Sequence, residues 1–234
     1  MTMMRNLLLS GGPTHAFDQT TPRVVRLLDA AGFETTVFED LEEGARHLAG
    51  EPFALLTVHC LRWSMVQAEK YARLRRSWAF DLSEAARAAI VAHLSRGGGL
   101  LGLHTAAISF DTWREWRDCL GAAWTWGVSN HKPLGSVDVS IAVSDHPVTR
   151  GVQGFSCEDE AYADMDLSPR AVVLANARAR EDDISHPSVI VQEDDLRGRS
   201  VYVALGHGPS TFDHPAFERL VQQAAAWCVQ RSSA

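Results

Sequence analysis

The sequence predicts an α/β fold whose central sheet is mostly parallel and covered on both faces. Two observations point there. Apolar runs alternate with helix-patterned stretches through the first half of the chain, and those runs are continuously apolar rather than alternating. Strands buried on both faces read that way, because helices cover each side of a parallel sheet.

Each element follows from its residues. "RNLLLSG" (Arg5–Gly11) is a compact apolar run halted by glycine, hence a first strand. "TPRVVRLLDAAGF" sets Val24, Leu27, Leu28 and Ala31 on one helical face, with Gly32 as the stop. "ETTVFED" and "FALLTVH" are the second and third strands. "DLSEAARAAIVAHLSRGGG" is the clearest helix: Asp81 or Ser83 can accept first-turn amides, alanines fill it and glycines end it. "LLGLH" is the fourth strand, and "DTWREWRDCLG" a short amphipathic helix between Asp111 and Gly121. The second half changes character. "SVDVSIAV", "AVVLANAR", "HPSVIVQE" and "SVYVALGH" are strands with few helices between them, so some antiparallel pairing is expected before "PAFERLVQQAAAWCV" packs back as a final helix. No internal repeat, low-complexity segment or linker interrupts the chain, so residues 1–234 read as one domain.

Composition narrows the partners. A net charge of −7 offers phosphates no general attraction, which argues against nucleic acid. The N-terminal "NLLLSGGP" is too short for a secretory apolar region, and nothing approaches the roughly 20 apolar residues of a membrane span. A cytoplasmic protein without a membrane partner is expected. Cys60, Cys119, Cys157 and Cys228 form no Cys-x-x-Cys pair and read as free, mostly buried thiols. The seven tryptophans permit an aromatic homodimer interface without demanding one.

Ligands of an open parallel sheet bind beyond the carboxyl ends of its strands. His15 follows the first strand across Gly11-Gly12-Pro13. His59 ends the third strand, His104 the fourth and His207 the last. The fold would bring those ends to one rim. Gly12 permits close backbone approach to a ligand, as do Gly206 and Gly208 around His207. "CEDEAY" adds Glu158, Asp159, Glu160 and Tyr162, either as site residues or as a solvated acidic loop. In "WTWGVSNH", Trp124, Trp126 and His131 could wall a sugar-sized pocket or pack as core. His93 sits inside the alanine-rich helix, and the two "DHP" segments, around His146 and His214, read as turns. "RWSMVQAEKYARLRRSWAF" (Arg62–Phe80) is an arginine-rich excursion, lid-like, partner-facing or simply solvated.

Taken in order, "LLLSGGPTHAF", "GFETTVFED", "GGGLLGLHTA", "DHPVTRGVQGF" with "DEAY", and "GRSVYVALGH" with "HPAF" resemble the ThuA-like (trehalose-utilisation) proteins from about Leu7 to Trp227. The resemblance implies a class I glutamine amidotransferase-like fold, a flavodoxin-like three-layer sandwich. It implies a role in carbohydrate metabolism on trehalose, a related disaccharide or a keto-sugar. Amidotransferases of that class carry a cysteine at a Gly-x-Cys-x-Gly elbow, and here Gly102-Leu103-His104-Thr105-Ala106 fills the slot. Imidazole cannot form their thioester, so glutamine hydrolysis is not expected. A sugar-modifying enzyme of isomerase or hydrolase type would use His104, Glu160 and His207 as catalytic groups. His15, Gly12, His59, Trp126, His131, Asp159 and Tyr162 would contact the sugar. His59, His104 and His207 could hold a divalent metal such as zinc, with Glu160 or His15 shuttling protons. Without metal, His104 would itself be the acid–base. Two other readings stay open: a non-catalytic sugar-binding or regulatory protein on the same scaffold, and a subunit that docks a partner through Arg62–Phe80.

Overall fold

A computed structural model describes residues 3–194 and 197–230. The chain begins with β1 (Met4–Gly11), α1 (Phe17–Ala30), β2 (Phe33–Phe38), α2 (Leu41–Gly50) and β3 (Leu55–Cys60). After α3 (Ala72–Trp78) and α4 (Glu84–Ser95), β4 (Gly99–Leu103) leads into α5 (Trp116–Leu120). Short ladders follow, β5 (Ala122–Ala123) and β6 (Asn130–His131), before β7 (Gly135–Ile141) and β8 (Phe155–Asp159). Then come β9 (Tyr162–Ala163), β10 (Asp166–Leu167), β11 (Val172–Ala179), β12 (His186–Asp194) and β13 (Arg197–Val203), with α6 (Pro209–Phe212) and α7 (Pro215–Cys228) last.

Nine strands form one sheet in the order β2-β1-β3-β4-β13-β12-β11-β7-β8. The pairs from β2 through β13 are parallel, and those from β13 to β8 are antiparallel. The mixed pairing is the one the sequence predicts. Side chains leave a strand on alternate faces, and β1 shows it: Leu8 joins the core under α1 and α7, while Leu7 and Leu9 join the core under α2, α4 and α5. Helix, sheet and helix layers therefore make the flavodoxin-like sandwich. Val24, Leu27 and Leu28 of α1 are fully buried in it, and truncating either leucine to alanine would cost about 2–5 kcal/mol.

The structure departs from the sequence reading at several elements, of which four follow. First, α1 begins at Phe17 rather than near Thr21, which puts Pro22 inside the helix. Phe17 anchors that early start by packing with Leu61, Trp63 and Met65, and tertiary contact outweighs the one backbone bond that proline forgoes. Second, α2 is an element the sequence reading omits. Its signals are Asp40, which accepts from the amides of Glu42 and Glu43, and an acidic residue three positions beyond the cap. Gly44 masks the pattern, yet glycine is needed there because a Cβ would overlap Leu9 of β1. Third, only Trp116–Leu120 of the predicted "DTWREWRDCLG" helix is α-helical, closed by Gly121 at φ +106°. Fourth, the acidic "CEDEAY" segment is not a solvated loop. Its first half completes β8, and Asp159 is fully buried.

Arg62–Phe80 folds back on its own chain. Tyr71, Leu74 and Trp78 pack against the small cluster of Phe17, Leu61, Trp63 and Met65, and the Arg62 guanidinium lies 4.6 Å over the Trp78 ring. Among the described residues no helix is long and apolar enough to cross a membrane. All four cysteines are free; three are buried and Cys157 is partly so.

Candidate functional site

Parallel pairing of β1, β3, β4 and β13 puts their carboxyl ends on one edge of the sheet, and β1 is where strand order reverses. The chain leaves β1 at Gly11 (φ +100°) and Gly12 (φ +145°), turns through Thr14 at φ +67° and delivers His15 to that edge. It leaves β4 through a 3₁₀ turn, His104–Ala107. His104 opens the turn at φ +45°, a left-handed conformation uncommon for a side chain of this size. The chain turns sharply here, and the residue at the apex carries an imidazole. Beneath it, Gly102 gives Leu120 room to approach, and the Tyr202 hydroxyl donates to the His104 carbonyl at 2.7 Å.

The fully buried His104 ring has a fixed orientation. Its Nδ1 lies 2.9 Å from the Ala204 carbonyl, which can only accept, so Nδ1 carries the hydrogen. Nε2 is left as an acceptor. It meets the Tyr162 hydroxyl at 3.0 Å, His15 Nε2 at 3.2 Å and Glu160 Oε2 at 3.6 Å. Burial pushes Tyr162 well above the ordinary phenol range, so its hydroxyl keeps its proton and donates it to Nε2. The Tyr162 ring stacks on His104 with centroids 4.6 Å apart.

Glu160 bridges the remaining histidines. Its Oε2 is 3.2 Å from His207 Nδ1, and its Oε1 is 3.4 Å from His131 Nδ1. Burial raises the Glu160 carboxyl, but the imidazoles of His104, His207 and His131 around it together outweigh burial and hold it below the usual carboxylate range. The Glu160 carboxylate in turn raises His207 against a smaller opposing effect of burial. His207 Nδ1 sits within ion-pair range of Glu160 but out of line for a hydrogen bond, leaving a buried nitrogen unpartnered. His15 behaves oppositely. Burial, then the neighbouring His104 and His207, push it down to about 3, so its imidazole is neutral at physiological pH.

Asp159 holds the frame. Its carboxylate accepts from the amides of Gly206 (2.8 Å) and Glu160 (2.8 Å) and, more weakly, from that of His207 (3.3 Å). It ties the end of β8 to the loop after β13, and so sets Glu160 against His207.

His15, His104, Glu160 and His207 each offer one ligand atom, and those atoms all lie within 4.8 Å of one another. Three imidazoles and a carboxylate at that spacing could hold a metal. The sequence-predicted set of His59, His104 and His207 is corrected on one member. His59 faces the rings of Phe17 and Phe212 and bonds Thr20 Oγ1 at 2.9 Å, so His15 takes its place. The register explains the swap: His59 pairs with Ser10 inside the sheet, whereas His15 lies beyond it on the turn. Tyr162 and His131 adjoin the cluster, brought together by the β6–β9 ladder. Gly12 contributes backbone, because a Cβ there would overlap the Leu61 carbonyl. Trp126 lies one ring further out, among Trp63, Tyr71 and Trp124.

His93, His146 and His214 are structural. His93 Nε2 bonds the Gly99 carbonyl at 2.9 Å. In both "DHP" segments the imidazole accepts the turn amide: His146 from Val148, and His214 from Ala216 at the start of α7. The sequence reading also missed the Ala204 carbonyl and the Tyr202 hydroxyl. Neither has a motif, because one is backbone and the other lies mid-strand.

With that geometry in view, the family model described as "ThuA: Trehalose utilisation" matches residues 7–228. The chain belongs to the ThuA family. A solved ThuA-like protein from Parabacteroides merdae superposes with TM-score 0.75 at 17% identity, covering 97% of this chain and 90% of that one. A second, from Bacteroides uniformis, gives TM-score 0.70 at 19% identity over 96% and 91% of the two chains. At such identities the likeness speaks for the fold. No curated protein matches the sequence.

Proposed function

We propose that this ThuA-family chain is an enzyme of carbohydrate utilisation whose cluster of His15, His104, Glu160 and His207 holds a divalent metal, with zinc the best match to the donors. Its substrate is a disaccharide such as trehalose, or a keto-sugar derived from one, and its chemistry is of isomerase or hydrolase type. The observation that carries the reading is the His104 ring. Imidazole ligands of metals donate their other N–H to a carbonyl or carboxylate, and the His104–Ala204 bond is that arrangement. Neutral His15 and the unpartnered His207 nitrogen also fit a ligand role.

A bound metal would supply Lewis-acid polarisation of a sugar carbonyl or a lowered pKa for water. The chain's own groups do the rest. His15, His104 and His207 bind at their ring nitrogens. The Glu160 carboxylate holds or releases a proton at Oε1 or Oε2, within reach of His207 and His131. The Tyr162 hydroxyl, 3.0 Å from His104 Nε2, would donate to a bound substrate oxygen once that nitrogen is taken by the metal. Half-buried Trp124 and Trp126 offer faces to a sugar ring. The reading carries a cytoplasmic setting and a small-molecule sugar partner with it.

Glutamine hydrolysis has no support. The elbow residue is His104, and Cys60 is buried on β3 with its thiol pushed up to about 12 by burial. A carboxylate does adjoin His207, but it comes from Glu160 rather than from the loop that follows the histidine.

Elemental analysis of the purified protein and zinc titration of the chelator-treated protein test the proposal. About one equivalent per chain is expected, together with conversion of a keto-disaccharide that chelation abolishes. Absence of metal binding would overturn the metal centre, and turnover untouched by His104→Ala would remove His104 from the mechanism. Sugar binding without turnover would leave the non-catalytic reading.

A further inference from the structure

A cavity of about 420 Å³ opens beside the histidine cluster, within the range of small-molecule pockets. Ala107, the last residue of the elbow turn, lines it, and the Ala107 carbonyl accepts the Trp124 amide at 2.8 Å. Trp124 also lines it and meets the Tyr162 ring edge-on at 5.2 Å. One indole therefore separates the cavity from the tyrosine that bonds His104. Trp126 forms a second partly exposed aromatic wall.

The lining carries two arginines and two aspartates, and they differ in their partners. Asp111 is engaged by Ser64 and Gln67. Arg117 is engaged by Asp118 and Asp166. Arg114 lines the same cavity, is exposed, and has no hydrogen bond or ion pair among the described residues. The lining charge left without any partner among those residues is the Arg114 guanidinium, whose planar fork suits a carboxylate or a phosphate.

We propose that this cavity is a second sugar subsite, selective for a sugar bearing an acidic substituent, with the ring against Trp124 and Trp126 and the acid on Arg114. The inference rests on the carbohydrate reading for the word sugar. The acid preference rests on the cavity alone. Carboxylate and phosphate share the chemistry, and the test separates them.

The experiment is calorimetric titration of the full, chelator-treated protein with glucose, glucuronate, glucose 6-phosphate and inorganic phosphate. One or both acidic sugars should bind at least about tenfold more tightly than glucose. Arg114→Gln should bring them to the level of glucose, and Trp126→Ala should weaken all three sugars while leaving inorganic phosphate unchanged. Because Arg114 is exposed, its substitution leaves the fold intact, which circular dichroism verifies. Equal affinity for glucose and the acids, an acid preference that survives Arg114→Gln, or inorganic phosphate binding as tightly as glucose 6-phosphate would each overturn the inference. The readout needs no metal, so the cavity and the metal centre stand or fall separately.

Discussion

His104 Nδ1 donates to the Ala204 carbonyl at 2.9 Å, across the parallel pair formed by β4 and β13. The bond joins the elbow to the next strand and turns Nε2 toward His15, Tyr162 and Glu160. A side chain in this left-handed position must tolerate φ +45°, which asparagine does better than most residues. His104→Asn is therefore expected to fold while losing a ring nitrogen that its shorter amide cannot replace. Zinc affinity, measured by competition with a chromophoric chelator, should fall by more than the roughly 10–100-fold typical of losing an outer-shell partner. An affinity unchanged within twofold would remove His104 from the ligand set.

Acid should unfold the metal-free protein early. His15 and His59 both stand at about 3 in the folded chain, lowered from 6.5 first by burial and then by neighbouring histidines. A depressed folded value means stability is fully present above pH 6.5 and falls as pH drops toward 3, because the unfolded chain takes up two protons that the folded one refuses. Glu160 acts in the same direction, its contribution fading as pH falls through and below 4.5. His207 is opposite: its raised value gives stability that is present below 6.5 and lost as pH rises through the folded value. Urea midpoints should thus decline from pH 6.5 to 4 by an amount worth several kcal/mol, after allowance for partial solvent access. His59→Gln should flatten the slope by about one proton. A slope unaltered by that substitution would show that His59 is not held neutral.

Much of this arrangement is legible in the sequence, and the part that is not has a physical reason. Continuously apolar runs give the inner parallel strands β1, β3 and β4, because burial on both faces favours that pattern. Strand ends then point to His15, His104 and His207. Whether His59 or His15 joins them turns on where β3 ends relative to β1, and a shift of a residue or two is beyond what composition resolves. The partnership of Glu160 with His207 is less legible still. The two residues meet through Asp159, whose carboxylate collects backbone amides from two distant segments. Backbone acceptors such as Ala204 leave no residue signature at all.

Asp159 makes the next prediction. It is fully buried, and its charge is balanced by three amides rather than by a cation. Asp159→Asn keeps the shape but replaces one acceptor oxygen with a donor that faces those amides. A loss of about 2 kcal/mol is expected, or a Tm roughly 4–8 °C lower for a chain of this size. Zinc affinity should drop as well, since His207 loses its amide anchor. If melting falls and zinc affinity does not, Asp159 supports the fold without positioning the ligand.

The turn after β1 gives the last prediction, through two glycines that differ in surroundings. At Gly12 a Cβ would overlap the Leu61 carbonyl, and the backbone stands at φ +145°. The close approach is built in, since the Leu61 amide bonds the Gly11 carbonyl at 2.9 Å and extends the β1–β3 pairing into the turn. At Gly208 a Cβ meets nothing within 4 Å, and φ is −135°, which any residue adopts. Gly12→Ala should cost about 3 kcal/mol or more, combining backbone strain with a clash that only movement of the turn relieves. Because His15 rides on that turn, zinc affinity should fall in parallel. Gly208→Ala should cost less than about 1 kcal/mol, the scale of a weaker helix cap. Thermal melts and zinc titrations on the pair separate the two effects: equal losses at both positions would mean that the turn is not pinned to Leu61, and that the placement of His15 needs another cause.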